Sequence, residues 1–89
     1  MKAVISVTGR DSMGIIAKVS SACATYKANI VDISQSVLSE YFAMIMVVDI
    51  STLTIPFASF IDKMTELGQE SGLVIHTMHE DIFNSMHRI

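Results

Sequence analysis

The chain is short of charge and nearly free of cysteine. Only 17% of its 89 residues are charged, and 6 Lys and Arg stand against 9 Asp and Glu for a net charge of −3. The cations form no run, so nucleic acid and an anionic membrane are poor partners. A single cysteine, Cys23, excludes an internal disulfide and suits a reducing cytosol. The longest apolar run, residues 42–48, is far too short to cross a bilayer. Met1-Lys2-Ala3-Val4 enters an alternating pattern at once and shows no secretory h-region, so the cytoplasm is the expected compartment. No Ser-His-Asp, Cys-His or paired-carboxylate arrangement emerges, and no catalysis is expected. His76, His79 and His87 lack a completing set of cysteines or clustered carboxylates beyond Glu80 and Asp81. His76 and His79, three apart on a strand, would point to opposite faces, so no metal and no cofactor are expected.

What the chain does have is apolar residues, 51% of the total. That is high for one small soluble domain, and surplus apolar surface predicts self-association. Residues 2–8 alternate as a strand, with Ala3, Ile5 and Val7 on one face. Residues 9–12 read as a turn, with Ser12 a helix N-cap beside Asp11. Ile15, Ile16, Val19, Ala22, Cys23 and Tyr26 recur at helical spacing, which places Cys23 in the core. Asn29 suits the left-handed residue at that helix's end. Residues 30–38 form a second strand, with Val31, Ile33 and Val37 on one face and Gln35 among them. Asp32, Ser34 and Ser36 take the other face. After a turn at Ser39-Glu40, residues 41–50 form a third strand, apolar on both faces; it is either central under two covers or part of a subunit interface. Pro56 suits the start of a second helix, which carries Phe57, Phe60, Ile61, Met64 and Leu67 and ends at Gly72. Residues 73–78 form a fourth strand. In the tail, residues 81–89, Ile82, Phe83, Met86 and Ile89 share one helical face, which must pack on the sheet or a partner.

The order βαββαβ, with right-handed crossovers, predicts an α+β ferredoxin-like sandwich. Its antiparallel four-stranded sheet carries two helices on one face, plus a short C-terminal helix. Residues 1–80 form the domain and residues 81–89 its helical extension.

The segment Gly9-Arg10-Asp11-Ser12-Met13-Gly14-Ile15-Ile16-Ala17 joins strand to helix with two glycines around polar residues. It presents helix-start N–H groups and an acidic side chain at one spot, as a small-molecule binding turn does. Asp11 can pair with an ammonium. The N–H groups of Met13, Gly14 and Ile15 can hold a carboxylate, and Gly14 lets a ligand approach the backbone. A bland alternative is that Asp11 and Ser12 only cap the helix and Gly14 only allows tight helix–sheet packing. Arg10 can neutralise an anion or simply be solvated. Gln35 can bond a ligand or reach across a dimer interface, and Asp32 can face a partner subunit.

Asp11-Ser12-Met13-Gly14-Ile15-Ile16-Ala17, opening helix one after strand one, resembles the signature of the ACT domain family. Ala28-Asn29-Ile30-Val31-Asp32 resembles the family's start of strand two. The chain is similar to small stand-alone ACT proteins and to the ACT halves of the glycine cleavage system regulator. The resemblance implies a regulatory domain that binds an amino acid or related metabolite between two copies and acts on a partner enzyme or regulator. The candidate ligand set combines Gly9, Arg10, Asp11, Ser12, Met13, Gly14 and Ile15 with Asn29, Ile30, Asp32 and Gln35. Asp11, Gly14 and Asn29 match the family's contact positions. Gly9 stands where some serine-binding members carry histidine, and Met13 where proline is frequent. The alternative is a dimerisation or docking module without a ligand. Other ferredoxin-like classes fit less well: the glycine-rich cradle of an acylphosphatase and the cysteine pair of a copper chaperone are missing, and against the solvent-facing aromatics and basic surface of an RNA-binding sheet strand three offers Tyr41 and Phe42 only, on a chain of net negative charge.

Overall fold

The computed structural model describes residues 1–10 and 13–86. Its elements are β1 (Lys2–Arg10), α1 (Ile15–Thr25), β2 (Asn29–Leu38), β3 (Tyr41–Asp49), α2 (Phe57–Ser71), β4 (Leu73–His79) and α3 (Glu80–Met86). The four strands form one antiparallel sheet in the order β2-β3-β1-β4. This is the ferredoxin-like sandwich that the element order predicts.

Period-two alternation builds the sheet's inner face. Ala3, Ile5 and Val7 of β1 lie beside Phe42, Met44, Met46 and Val48 of β3 and Leu73 and Ile75 of β4, all buried. Ile15, Val19 and Cys23 of α1 and Phe60 and Met64 of α2 close this core from above. The Tyr26 and Phe60 rings meet edge to face, with centroids 6.2 Å apart. Gly68 lets α2 settle on β4, because a Cβ there would lie 2.7 Å from the Leu73 carbonyl oxygen. No helix among the described residues is long and apolar enough to cross a membrane.

Several local expectations change. β1 does not stop at residue 8; Gly9 and Arg10 continue the ladder opposite Phe42 and Tyr41. The N-cap of α1 is Gly14, not Ser12, and no side chain caps it; Asp11 and Ser12 themselves lie outside the described residues. The left-handed residue after α1 is Lys27, with φ 58°, not Asn29, which already pairs in β2. Ala28 N–H donates to the Cys23 carbonyl at 2.9 Å and Lys27 N–H to Ala24 at 3.2 Å. This Schellman pattern fixes the stop two residues earlier than composition suggested.

β2 departs most. A bulge between Ile30 and Asp32 removes Val31 from the regular alternation, leaving Ile33, Gln35 and Val37 on the helix side. None of the strand's residues is buried, because it is the sheet's edge and α1 scarcely overhangs it. β3 is central but covered on one face only, so Tyr41, Ala43 and Ile45 stay exposed. Pro56 is the N-cap of α2, one residue before its first turn. In α3, Phe83 is half-buried while Ile82 and Met86 are exposed; Ile89 and His87 lie outside the described residues.

Candidate functional site

Gly14 sets the geometry of the turn into α1. Its φ of 83° and ψ of 10° are left-handed, a conformation that other residues resist. A Cβ on Gly14 would meet nothing within 4 Å, so tight packing is not what requires a glycine here. The bland packing account of this residue therefore fails. The conformation starts the helix abruptly, and Lys18 N–H donates to the Gly14 carbonyl at 2.9 Å as the first bond of the helix. The first-turn N–H groups of Ile15, Ile16 and Ala17 find no acceptor within the helix and lie at its positive end.

These groups border a groove of about 270 Å³. Gly14 to Ala17 form one wall, Gln35 and Val37 of β2 the other, and Phe42 the floor. β2 supplies the second wall because α1 leaves its helix-side residues uncovered. The hairpin register sets Val37 opposite Phe42 and Gln35 opposite Met44, which brings the Gln35 amide towards the helix start. The groove thus has donors and a positive helix end at one side, an amide at another and apolar surface beneath. Such a set suits a small anion-bearing molecule with an apolar part.

The remaining residues are dispersed. Met13 is 98% exposed beside Gly14. Gly9 lies inside β1, where the place of its absent side chain is taken by Leu73 Cδ2, 2.7 Å from an ideal Cβ. Arg10 is exposed and its Nη1 lies 3.7 Å from Glu40 Oε2. Asp32 faces the opposite side of the sheet, beside Val47, and its Oδ1 accepts the Ile33 N–H at 2.9 Å. Asn29 and Ile30 line a separate groove of about 580 Å³ at the far end of α1, with Lys27 and Thr52. Asn29 is six residues from Gln35 along β2, about 20 Å at the rise of a strand. One chain therefore cannot set Gly14 and Asn29 on the same small ligand.

Reading the sequence missed Ile16, Ala17, Val37 and Phe42 as groove residues. The signal was present: the short Ser39-Glu40 turn fixes the β2–β3 register and hence sets Val37 against Phe42. Away from the groove, burial pushes the Cys23 thiol up to about 11, which leaves it an inert core residue. The Asp49 carboxyl is held below its ordinary value by hydrogen bonds from the Ser51 side chain and N–H, the latter 2.8 Å long. Among the described residues no cluster of three or more His, Cys, Asp or Glu is placed to hold a metal.

Fold and groove together define a small ferredoxin-like domain with an uncovered helix-start turn. The profile of the ACT domain matches residues 2–78, and the chain belongs to the ACT domain family. It is similar to a UPF0237 protein of Clostridium acetobutylicum, 47% identical over 89 residues and covering 100% of both chains. An ACT domain protein from Streptococcus pneumoniae superposes with a TM-score of 0.82 at 40% identity, covering 98% of each chain. A glycine cleavage system transcriptional repressor shares the fold, with a TM-score of 0.71 at 20% identity over 85% of this chain and 43% of its own.

Proposed function

We propose that this ACT domain is a stand-alone regulatory module that binds an amino acid, as a homodimer, at the turn opening α1. The observation that carries the reading is Gly14, held left-handed at the helix start with open space before it. In this arrangement the first-turn N–H groups receive the ligand's carboxylate, Asp11 its ammonium and Gln35 a polar group. Phe42 and Val37 carry its apolar part. A charge-assisted hydrogen bond contributes about 1.5–3 kcal/mol, so two or three of them support binding in the roughly micromolar to millimolar range of a metabolite sensor.

Dimerisation rests on β2. Its outer edge has no neighbouring strand among the described residues, and it carries no lysine or proline; the bulge after Ile30 and the Ile33 N–H bond to Asp32 Oδ1 leave the run from Ser34 to Leu38 as the regular edge. Antiparallel pairing with a second copy, centred on the strand, sets Asn29 of one chain beside Leu38 of the other. That returns Asn29 and Ile30 to the neighbourhood of the Gly14 groove. Gln35 and the helix-start N–H groups suit binding and orienting a ligand, and in this reading the module acts by engaging another protein. A reducing cytosol is the compartment that suits its single cysteine.

A thermal-shift screen of the twenty amino acids, nucleotides and 2-oxo acids tests the reading. Binding at a hundredfold excess over Kd raises stability by about 2.7 kcal/mol. The expected result is a rise for one class of amino acid, lost in Asp11→Ala and weakened in Gln35→Ala. A flat screen, with Asp11→Ala changing stability only, contradicts it and favours a docking module without a ligand.

A further inference from the structure

A groove of about 340 Å³ runs between the two long helices, which meet at few points. Half-buried Ala22, Tyr26 and Leu67 form its apolar floor; exposed Thr25 stands on the α1 side and exposed Glu66 and Glu70 on the α2 side. A surface helix usually turns charged side chains to water. α1 has one charge in its 11 residues, Lys18, and small side chains at the exposed Ala17, Ser21, Ala24 and Thr25. α2 differs sharply. Asp62, Glu66 and Glu70 follow one another at every fourth residue, so they lie along one exposed stripe. Like charges at that spacing destabilise a helix. Glu70 also stands in the last turn, at the negative end of the helix, where no basic residue offsets it. Lys63 approaches Glu66 only, at 4.0 Å between exposed groups, a contact that water screens. Asp62 and Glu70 are in no ion pair among the described residues. The stripe therefore works against the stability of its own helix.

We propose that the α1–α2 groove docks a basic amphipathic helix of another protein. Charge complementarity selects this occupant. Lysines or arginines one turn apart on the partner, about 6 Å along its axis, lie alongside Glu66 and Glu70, and a third one turn further reaches Asp62. The partner's apolar side chains rest on Ala22, Tyr26 and Leu67, and the small side chains of α1 let its backbone come close. A helix suits the groove better than an extended segment. The walls are side chains, which offer no ladder to a strand's N–H and C=O groups, whereas a helix pairs its own. A second copy of this chain does not match, because no helix among its described residues carries two cations. The groove shares no residue with the Gly14 groove or with the β2 edge, so the docking does not depend on an amino acid or on a dimer.

The probe is a synthetic amphipathic peptide of about 18 residues, with leucines on one face and lysines at every fourth position beside them. Fluorescence anisotropy should show saturable binding to the native protein. Affinity should fall about tenfold in the double variant Glu66→Gln/Glu70→Gln, as the loss of two exposed ion pairs gives. That variant should unfold at no lower urea concentration than the native protein, since the like charges on α2 are relieved. Thr25→Arg, which sets a cation of the chain's own in the groove, should weaken binding as well. Glu80→Gln/Asp81→Asn removes the same charge from α3 and should leave affinity unchanged. Amide shifts of the native protein, a readout independent of any variant, should centre on Ala22, Thr25 and Glu66. Four results would each overturn the proposal: no saturable binding at millimolar peptide, an equal loss in the α3 variant, equal binding of a peptide with glutamates in place of the lysines, or shifts confined to other surfaces. Thermal shifts with amino acids read the Gly14 groove and should persist in Glu66→Gln/Glu70→Gln, so failure of the sensor reading shows separately.

Discussion

Gly14 carries its weight through conformation, and Gly68 through space. Gly14→Ala places a side chain in a left-handed turn with nothing to strike, so the expected cost is the conformational one alone, about 1–2 kcal/mol. Gly68→Ala gains helix propensity of roughly 1 kcal/mol. It also drives a Cβ to within 2.7 Å of the Leu73 carbonyl oxygen, which belongs to backbone that cannot swing aside. Overpacking costs of about 1–3 kcal/mol exceed that gain, so urea unfolding should show Gly68→Ala less stable than the native protein. An unchanged or raised midpoint would mean that α2 is not seated as described. Cys23 gives a pH signature. Its folded-state pKa of about 11 lies above the ordinary 9.0, so over that window the unfolded chain releases a proton that the folded chain keeps. Stability should hold below about pH 9 and fall as the pH rises from there towards 11. Cys23→Ala should remove that slope in a series of urea titrations while lowering stability at every pH.

The elements were legible in unequal measure. Strands β1 and β4 and both long helices could be read because period and burial agree: Ala3, Ile5 and Val7, or Phe60 and Met64, are buried as their spacing requires. β2 could not be read fully. Its alternation of Ile33 and Val37 with polar residues is that of a half-buried strand, yet its place in the sheet decides burial, and the strand order puts it at an edge. The bulge after Ile30 is likewise a matter of pairing, not of composition. The end of α1 was misplaced because Lys27 has no conformational preference that announces a left-handed residue; the Schellman bonds to Ala24 and Cys23 impose it. The turn was recognised as a candidate site, but its opposite wall comes from Gln35 and Val37, more than twenty residues further on, and only tertiary packing unites them. An edge strand paired with a second copy also has a measurable consequence. The β2 amides that point away from β3 should exchange slowly at high protein concentration and quickly on dilution; rapid exchange at every concentration would leave the edge unpaired.

At the scale of the whole molecule, a thin slab with one packed face cannot hide all its apolar side chains. Its surplus is distributed among three places: the groove by Gly14, the β2 edge and the open sheet face. The account gives the groove a metabolite and the β2 edge a second copy. The central claim is the first, and amide chemical-shift mapping tests it most directly. The ¹⁵N-labelled protein is titrated with the amino acids that stabilise it, or with all twenty in turn if none does. The account predicts saturable shifts at Gly14, Ile15 and Ile16 and at the Gln35 side-chain amide, with little change across Ser6, Thr8 and Val74. Shifts confined to other surfaces, or none with any amino acid at millimolar concentration, would contradict it.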